Sequence, residues 1–146
     1  MKNYEKGSVH FESVVKKYGD VTALKQLDIA IAPGQLVTLL GPSGCGKTTT
    51  LRLIAGLESA TSGKIFIGGE DVTHLSATYR AVSMVFQSYA LFPHMSVVEN
   101  VAYGLTVKSI PKKEAHEKAE QGLELVGLKG FGLRLPSELS GGQQQR

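Results

Sequence analysis

The chain has 146 residues, of which 42% are hydrophobic and 20% charged, with a formal net charge of +3, the balance of one globular domain rather than a disordered polyelectrolyte. No apolar run approaches the ~18 residues that cross a bilayer, the N-terminus lacks a signal peptide's apolar core, and the single cysteine, Cys45, cannot form an intrachain disulfide, which fits a reducing cytoplasm. The lysines are scattered apart from pairs such as Lys16-Lys17 and Lys112-Lys113, and no basic stripe is interleaved with aromatics, which speaks against a nucleic-acid partner.

Met1 to Gly7 is polar and reads as loose. Val9, Phe11 and Val14-Val15 mark a first strand, Tyr18-Gly19-Asp20 a turn, and Leu27, Ile29 and Ile31 a second, half-buried strand, so the pair reads as a hairpin. Pro33-Gly34 leads into Gln35-Leu36-Val37-Thr38-Leu39-Leu40, a short apolar run expected to be a buried strand.

That run delivers the chain to Gly41-Pro42-Ser43-Gly44-Cys45-Gly46-Lys47-Thr48, a full match to the phosphate-binding pattern G-x-x-x-x-G-K-[ST]. A triphosphate needs a concave row of backbone N–H donors, and Gly41, Gly44 and Gly46 let the backbone curl that closely. Lys47 brings an ammonium to the β- and γ-phosphates, and the Thr48 hydroxyl stands at the offset suited to a Mg²⁺ ion; Thr49 continues the loop into the helix. Leu51, Ile54 and Ala55 give that helix an apolar face, and Gly56 is its expected stop. The loop by itself leaves phosphate-loop kinases and GTPases open.

Thr61-Ser62-Gly63 turns into a strand at Lys64-Ile65-Phe66-Ile67, and Gly68-Gly69 turns back through Asp71-Val72-Thr73. Val82-Ser83-Met84-Val85-Phe86 reads as another buried strand ending at Gln87. From Pro93 the period becomes helical: Ser96 and Glu99 form a capping box, followed by Val97, Val98, Val101 and Leu105. A second helix is expected over 111–126, with Ala115, Ala119, Leu123 and Val126 on one face, a charged face from Lys112 to Glu120, and Gly127 at its stop. His10, His74, His94 and His116 show no metal-ligand spacing.

Near the end stand Leu139-Ser140-Gly141-Gly142-Gln143, extended by Gln144-Gln145-Arg146. Physically this is a second anion site, a hydroxyl and two unobstructed glycine N–H groups at a helix start. The sequence matches the LSGGQ signature of ABC-type ATPases, and the resemblance covers essentially the whole chain. Tyr18 matches that family's adenine-stacking aromatic. Gln87, in Met84-Val85-Phe86-Gln87, matches the glutamine associated with Mg²⁺ and the attacking water, so that Gln87 and Lys47 are the residues the resemblance makes catalytic. The run from Ser88 to Val101 resembles the ATPase subunits of bacterial importers for polyamines, ferric iron, sugars and phosphonates, with Ala81 a departure from the polar residue usual there.

The resemblance implies an α/β fold of the phosphate-loop ABC ATPase type: a RecA-like core with an antiparallel β lobe over 1–92, then the start of a helical subdomain over 93–146. It implies ATP and Mg²⁺ as cofactors and a second ATPase subunit placed head to tail, so that Leu139 to Gln143 act in trans. Membrane-spanning permease subunits would be partners, a periplasmic solute-binding protein an indirect one, and the location cytoplasmic, at the inner face of the membrane. A soluble ABC ATPase of translation or DNA repair, or a non-catalytic interaction fragment, remains an alternative. The family's second acidic motif, catalytic glutamate and switch histidine lie beyond Arg146, so an apolar edge at Leu36 to Leu40 and little ATP turnover by this chain are expected.

Overall fold

The structure, a computed structural model, describes residues 7–146; the polar start read as loose lies almost wholly outside them. Two compact units divide the chain, one ending at Met84 and the other running Val85–Arg146.

In the first unit, β1 (Val9–Tyr18) and β2 (Val21–Ile31) form the expected hairpin, with Val9 opposite Ile31 and Tyr18 opposite Val21. After α1 (Lys47–Ala55), β3 (Ser62–Ile67) and the two-residue β4 (Glu70–Asp71) complete a four-stranded antiparallel sheet of order β2-β1-β3-β4. The hairpin pairing is interrupted between Phe11 and Val14, where Ser13 takes φ 49° and donates its N–H to Asp28 Oδ1 at 2.7 Å. That bulge bends β1. Phe11, Val14, Leu24, Leu53, Ile65 and Val72 form the core beneath the sheet.

Gly63 is fixed by this crossing. Its φ is 89°, and a Cβ there would stand 2.5 Å from the Ser13 carbonyl oxygen and 2.6 Å from Val14 Cα. Only glycine lets β3 come this close to the bulged strand.

Helix α1 ends as expected at Gly56, in the left-handed region at φ 72°, with the Leu57 N–H returning to the Arg52 carbonyl. Its buried face differs from the one read in the sequence: Thr50, Leu53 and Ala55 are buried and Leu51 is exposed. The carbonyls at its end meet Arg80, whose Nη1 donates to Leu53 O at 2.5 Å and Ile54 O at 3.0 Å while Nε donates to Leu75 O at 2.8 Å. A buried cation at a helix C-terminus satisfies the orphan carbonyls and complements the helix dipole. Burial pushes the Arg80 guanidinium below its usual pKa.

Two expected strands are absent. Gln35 to Leu40 forms no strand and pairs with no described segment, with Leu36 98% and Leu40 88% exposed. Val82 to Phe86 is likewise unpaired, and Val85 is 89% exposed. A buried parallel strand is stabilised by neighbours on both sides, and no described segment pairs with either run.

In the second unit, α2 (Val97–Val107) begins at the expected capping box: the Glu99 N–H reaches Ser96 Oγ at 3.4 Å and Glu99 Oε2 accepts from the Ser96 N–H at 2.9 Å. The loop before it is clipped down by Asn100, whose Nδ2 donates to the carbonyls of Phe92, Met95 and Ser96 and whose Oδ1 accepts from the Phe92 N–H. This clip ties the segment after Gln87 to α2. Helix α3 (Lys112–Leu125) buries Ala115, Ala119 and Leu123 as predicted, whereas Val126 falls just past its end and is exposed. With Val97, Val98, Ala102, Leu128 and Leu139 these residues make a second core. A short helix α4 (Gly141–Gln145) follows. Among the described residues no helix is long and apolar enough to cross a membrane.

Candidate nucleotide site and family

The phosphate loop keeps its wrapped form around its own lysine. Lys47 Nζ donates to the carbonyl oxygens of Gly41 and Pro42, both at 2.7 Å, and lies 3.5 Å from Cys45 Sγ. Gly46 caps α1 in the left-handed region at φ 94°, and a Cβ there would meet Leu24 Cδ1 at 3.0 Å and the Ala23 carbonyl oxygen at 3.1 Å. The loop therefore turns into the helix pressed against β2, in a conformation that would strain any larger residue.

A cleft of about 600 Å³ opens over this turn, lined by Ala23, Ser43, Gly44, Gly46, Lys47, Thr48 and Thr49. The first N–H groups of α1 are left without helical partners at this end, and no acidic residue stands in its first turn. The positive helix end, the loop N–H groups and the ammonium converge on one space suited to a polyanion. Of the sequence-predicted residues, Ser43, Gly44, Gly46, Lys47, Thr48 and Thr49 line this cleft. Gly41 and Pro42 hold the lysine from behind, and Cys45 is exposed beside them.

Tyr18 does not line the cleft. It ends β1 opposite Val21, two residues along β2 from Ala23, or roughly 7 Å at the rise of a strand. Lys16 lies over its ring, 4.6 Å from the centroid. Ala23 and the Lys16 contact were missed in the sequence. An apolar alternation identifies a strand but not which of its residues faces a loop twenty positions on.

The signature residues lie in the second unit, as does Gln87, in a turn. Ser140 is the N-cap of α4: the Gln143 N–H reaches its Oγ at 3.3 Å, and its own N–H donates to Gln143 Oε1 at 2.9 Å. The last residue of LSGGQ thus closes a capping box with the second. Leu139 is buried and anchors the motif in the helical core, while Gly141 and Gly142 have open space where a Cβ would be. Gln144 fixes the approach by donating to the carbonyls of Pro136 and Leu139.

The model of the ABC transporter family matches residues 24–146. The chain belongs to the ABC transporter family. Similar relatives within it include the Fe(3+) ions import ATP-binding protein FbpC of Brucella abortus, 69% identical over 140 residues that make up 96% of this chain and 40% of the relative. The protein of the same name from Vibrio cholerae is 56% identical over 138 residues, covering 94% of this chain and 39% of its own length. The chain therefore spans about 40% of the length of such relatives. Among solved ABC cassettes, the dimeric post-hydrolysis state of MJ0796 bound to ADP and Pi superposes with a TM-score of 0.80 at 32% identity, covering 94% of this chain and 65% of that one. A second dimeric structure of MJ0796 gives 0.81 at 31%. The phosphate-loop ABC ATPase fold expected from the sequence is thereby established for the chain as a whole.

Proposed function

We propose that this chain is the nucleotide-binding front of an ATPase subunit that powers import of a solute across a bacterial cytoplasmic membrane. Ferric iron is the solute class favoured by the names of the relatives described above. The observation that carries the reading is the loop-wrapped Lys47 beneath an open cleft at a helix N-terminus, on a chain that also carries a complete LSGGQ motif as a helix cap.

ATP enters with its phosphates in the cleft. The N–H groups of the cleft-lining residues donate to the phosphate oxygens, Lys47 exchanges its carbonyl partners for β- and γ-phosphate oxygens, and Tyr18 stacks on the adenine. The Thr48 hydroxyl, a hard oxygen donor on the cleft wall, would hold Mg²⁺, and Gln87 is the residue that the family resemblance associates with that ion. Such an ion would supply charge neutralisation for the phosphates. Ser140, Gly141 and Gly142 face the γ-phosphate held by the opposite subunit, closing a head-to-tail dimer. Closure drives the permease and hydrolysis resets it. The segment after Gln87, clipped to α2 by Asn100, borders an apolar groove of about 430 Å³ and is the surface offered to the permease. The subunit thus works at the inner face of the membrane.

Subunit mixing tests this. A full-length Ser140→Arg monomer is expected to bind ATP nearly normally but to lose ATP-driven dimerisation and hydrolysis. Mixed with Lys47→Ala subunits, it puts both lesions on one composite site and leaves the other intact, so part of the activity should return. Loss of nucleotide binding by a folded Ser140→Arg monomer would place both motifs in one site and end the reading.

A further inference from the structure

Beside the hairpin turn, Lys16 is held by more than the aromatic ring it covers. Its Nζ pairs with Glu58 Oε2 at 2.9 Å and donates to the Ser59 carbonyl oxygen at 2.9 Å. The two charged side chains are only 12% and 22% exposed. The segment supplying these oxygens is itself stitched to β1: the Thr61 N–H donates to Val15 O at 2.8 Å, and the Lys17 N–H donates to Thr61 Oγ1 at 2.9 Å. The ammonium is therefore fixed in place rather than swinging on a free stem. Its position, 4.6 Å from the Tyr18 centroid, covers one face of a ring that is still 43% exposed.

A cation fixed against one face of a phenol ring does two things for a base arriving at the other. It holds the ring in one orientation, so less freedom is lost on stacking, and it draws π density away from the open face, which suits an electron-rich purine. We propose that Lys16, clamped by Glu58 and Ser59, is a positioning residue that presents Tyr18 to the adenine base. This rests on the assignment of Tyr18 as the base platform made under the proposed function. The clamp joins the segment just after α1, the helix that receives the phosphates, to the residue that receives the base. Both ends of the nucleotide are thereby referred to one helix.

The experiment compares two ligands on the chain itself: Mg-ATP, and Mg-tripolyphosphate, which has phosphates but no base. Tyr18→Ala should weaken Mg-ATP and leave tripolyphosphate unchanged. Lys16→Met should weaken Mg-ATP about three- to tenfold, again sparing tripolyphosphate. Lys16→Arg, which keeps both the ion pair and the stacked cation, should restore most of the loss, and Lys16→Met should add nothing in a Tyr18→Ala background. Glu58→Gln, a milder change should Lys16→Met fail to fold, is expected to show the same ligand selectivity. The chain has no tryptophan, so Tyr18→Trp supplies a single indole whose fluorescence should be quenched by Mg-ATP, and less so once Lys16→Met is added.

If Tyr18→Ala weakens Mg-ATP while neither Lys16→Met nor Glu58→Gln does, the platform stands and the positioning role is wrong. Equal losses for both ligands would make Lys16 a support of the fold only, and overturn the proposal. If Tyr18→Ala leaves Mg-ATP affinity unchanged, the base platform itself is wrong and the positioning role falls with it.

Discussion

The Lys47 ammonium lies 2.7 Å from the Gly41 carbonyl oxygen, six residues back at the mouth of its own loop. A second contact of the same length to Pro42 O makes the lysine a clasp that draws the two ends of the loop together before any phosphate arrives. On the proposed reading, triphosphate binding would exchange partners for an ammonium already in place, with the ordering cost of the loop met in advance.

Cys45 reports on that loop directly. Its thiol is exposed, 3.5 Å from Lys47 Nζ, and sits where a Cβ on Gly41 would collide with it. Alkylation by iodoacetamide is expected to slow about tenfold when Mg-ATP is held at ten times its Kd. Equal rates with and without nucleotide would contradict a phosphate-wrapping loop.

Gly63→Ala should be among the most damaging single changes in the first unit. The new methyl would meet backbone atoms of Glu12, Ser13 and Val14, which cannot move aside without breaking the bulge that pairs with Asp28. A loss of at least ~2 kcal/mol is expected, read from urea unfolding.

Arg80→Met removes the donor shared by the carbonyls of Leu53, Ile54 and Leu75 and leaves buried acceptors unmet. The expected cost is about 2–4 kcal/mol. Arg80→Lys should recover little of it, because one ammonium lacks the fork that reaches both turns.

Acid should weaken the chain through three carboxylates. Hydrogen bonds from Ser96 hold Glu99 below the usual carboxylate range, Lys16 does the same for Glu58, and Thr73 for Asp71. Each folded-state pKa is depressed, so the unfolded chain takes up protons first. The stabilisation is complete above the unfolded values of about 4 and disappears as pH falls through the folded ones. Urea midpoints should accordingly drop on going from about pH 6 to pH 3. Glu99→Gln, which still closes the capping box, should flatten part of that slope, whereas Ser96→Ala should cost about 1 kcal/mol even at neutral pH.

What the sequence disclosed and what it hid divide along chain separation. The hairpin, the Gly56 stop, the Ser96 capping box and the Ala115, Ala119, Leu123 face depend on residues a few positions apart, where turn chemistry and helical period act. The phosphate loop and the signature cap are local in the same sense. Arg80 escaped notice because the two helix-end carbonyls it caps lie 26 and 27 residues upstream. The Lys16 clamp escaped for the same reason, since Glu58 lies beyond the whole phosphate loop. Leu36 to Leu40 and Val82 to Phe86 have the composition of buried strands, but hydrophobicity cannot specify the strand that would pair with them. Leu53 rather than Leu51 faces the core because the direction of α1 is set by its contact with β2 at Gly46, not by the apolar spacing alone.

Calorimetric titration of Mg-ATP into the chain and into Lys47→Ala tests the central claim most directly. The expected result is saturable binding by the unaltered chain and at least about tenfold weaker binding by Lys47→Ala, the loss of a charge-assisted partner, with the same circular dichroism and urea midpoint in both. Equal Mg-ATP affinity in the two folded proteins, or no binding by either, would contradict the assignment of this cleft to the triphosphate.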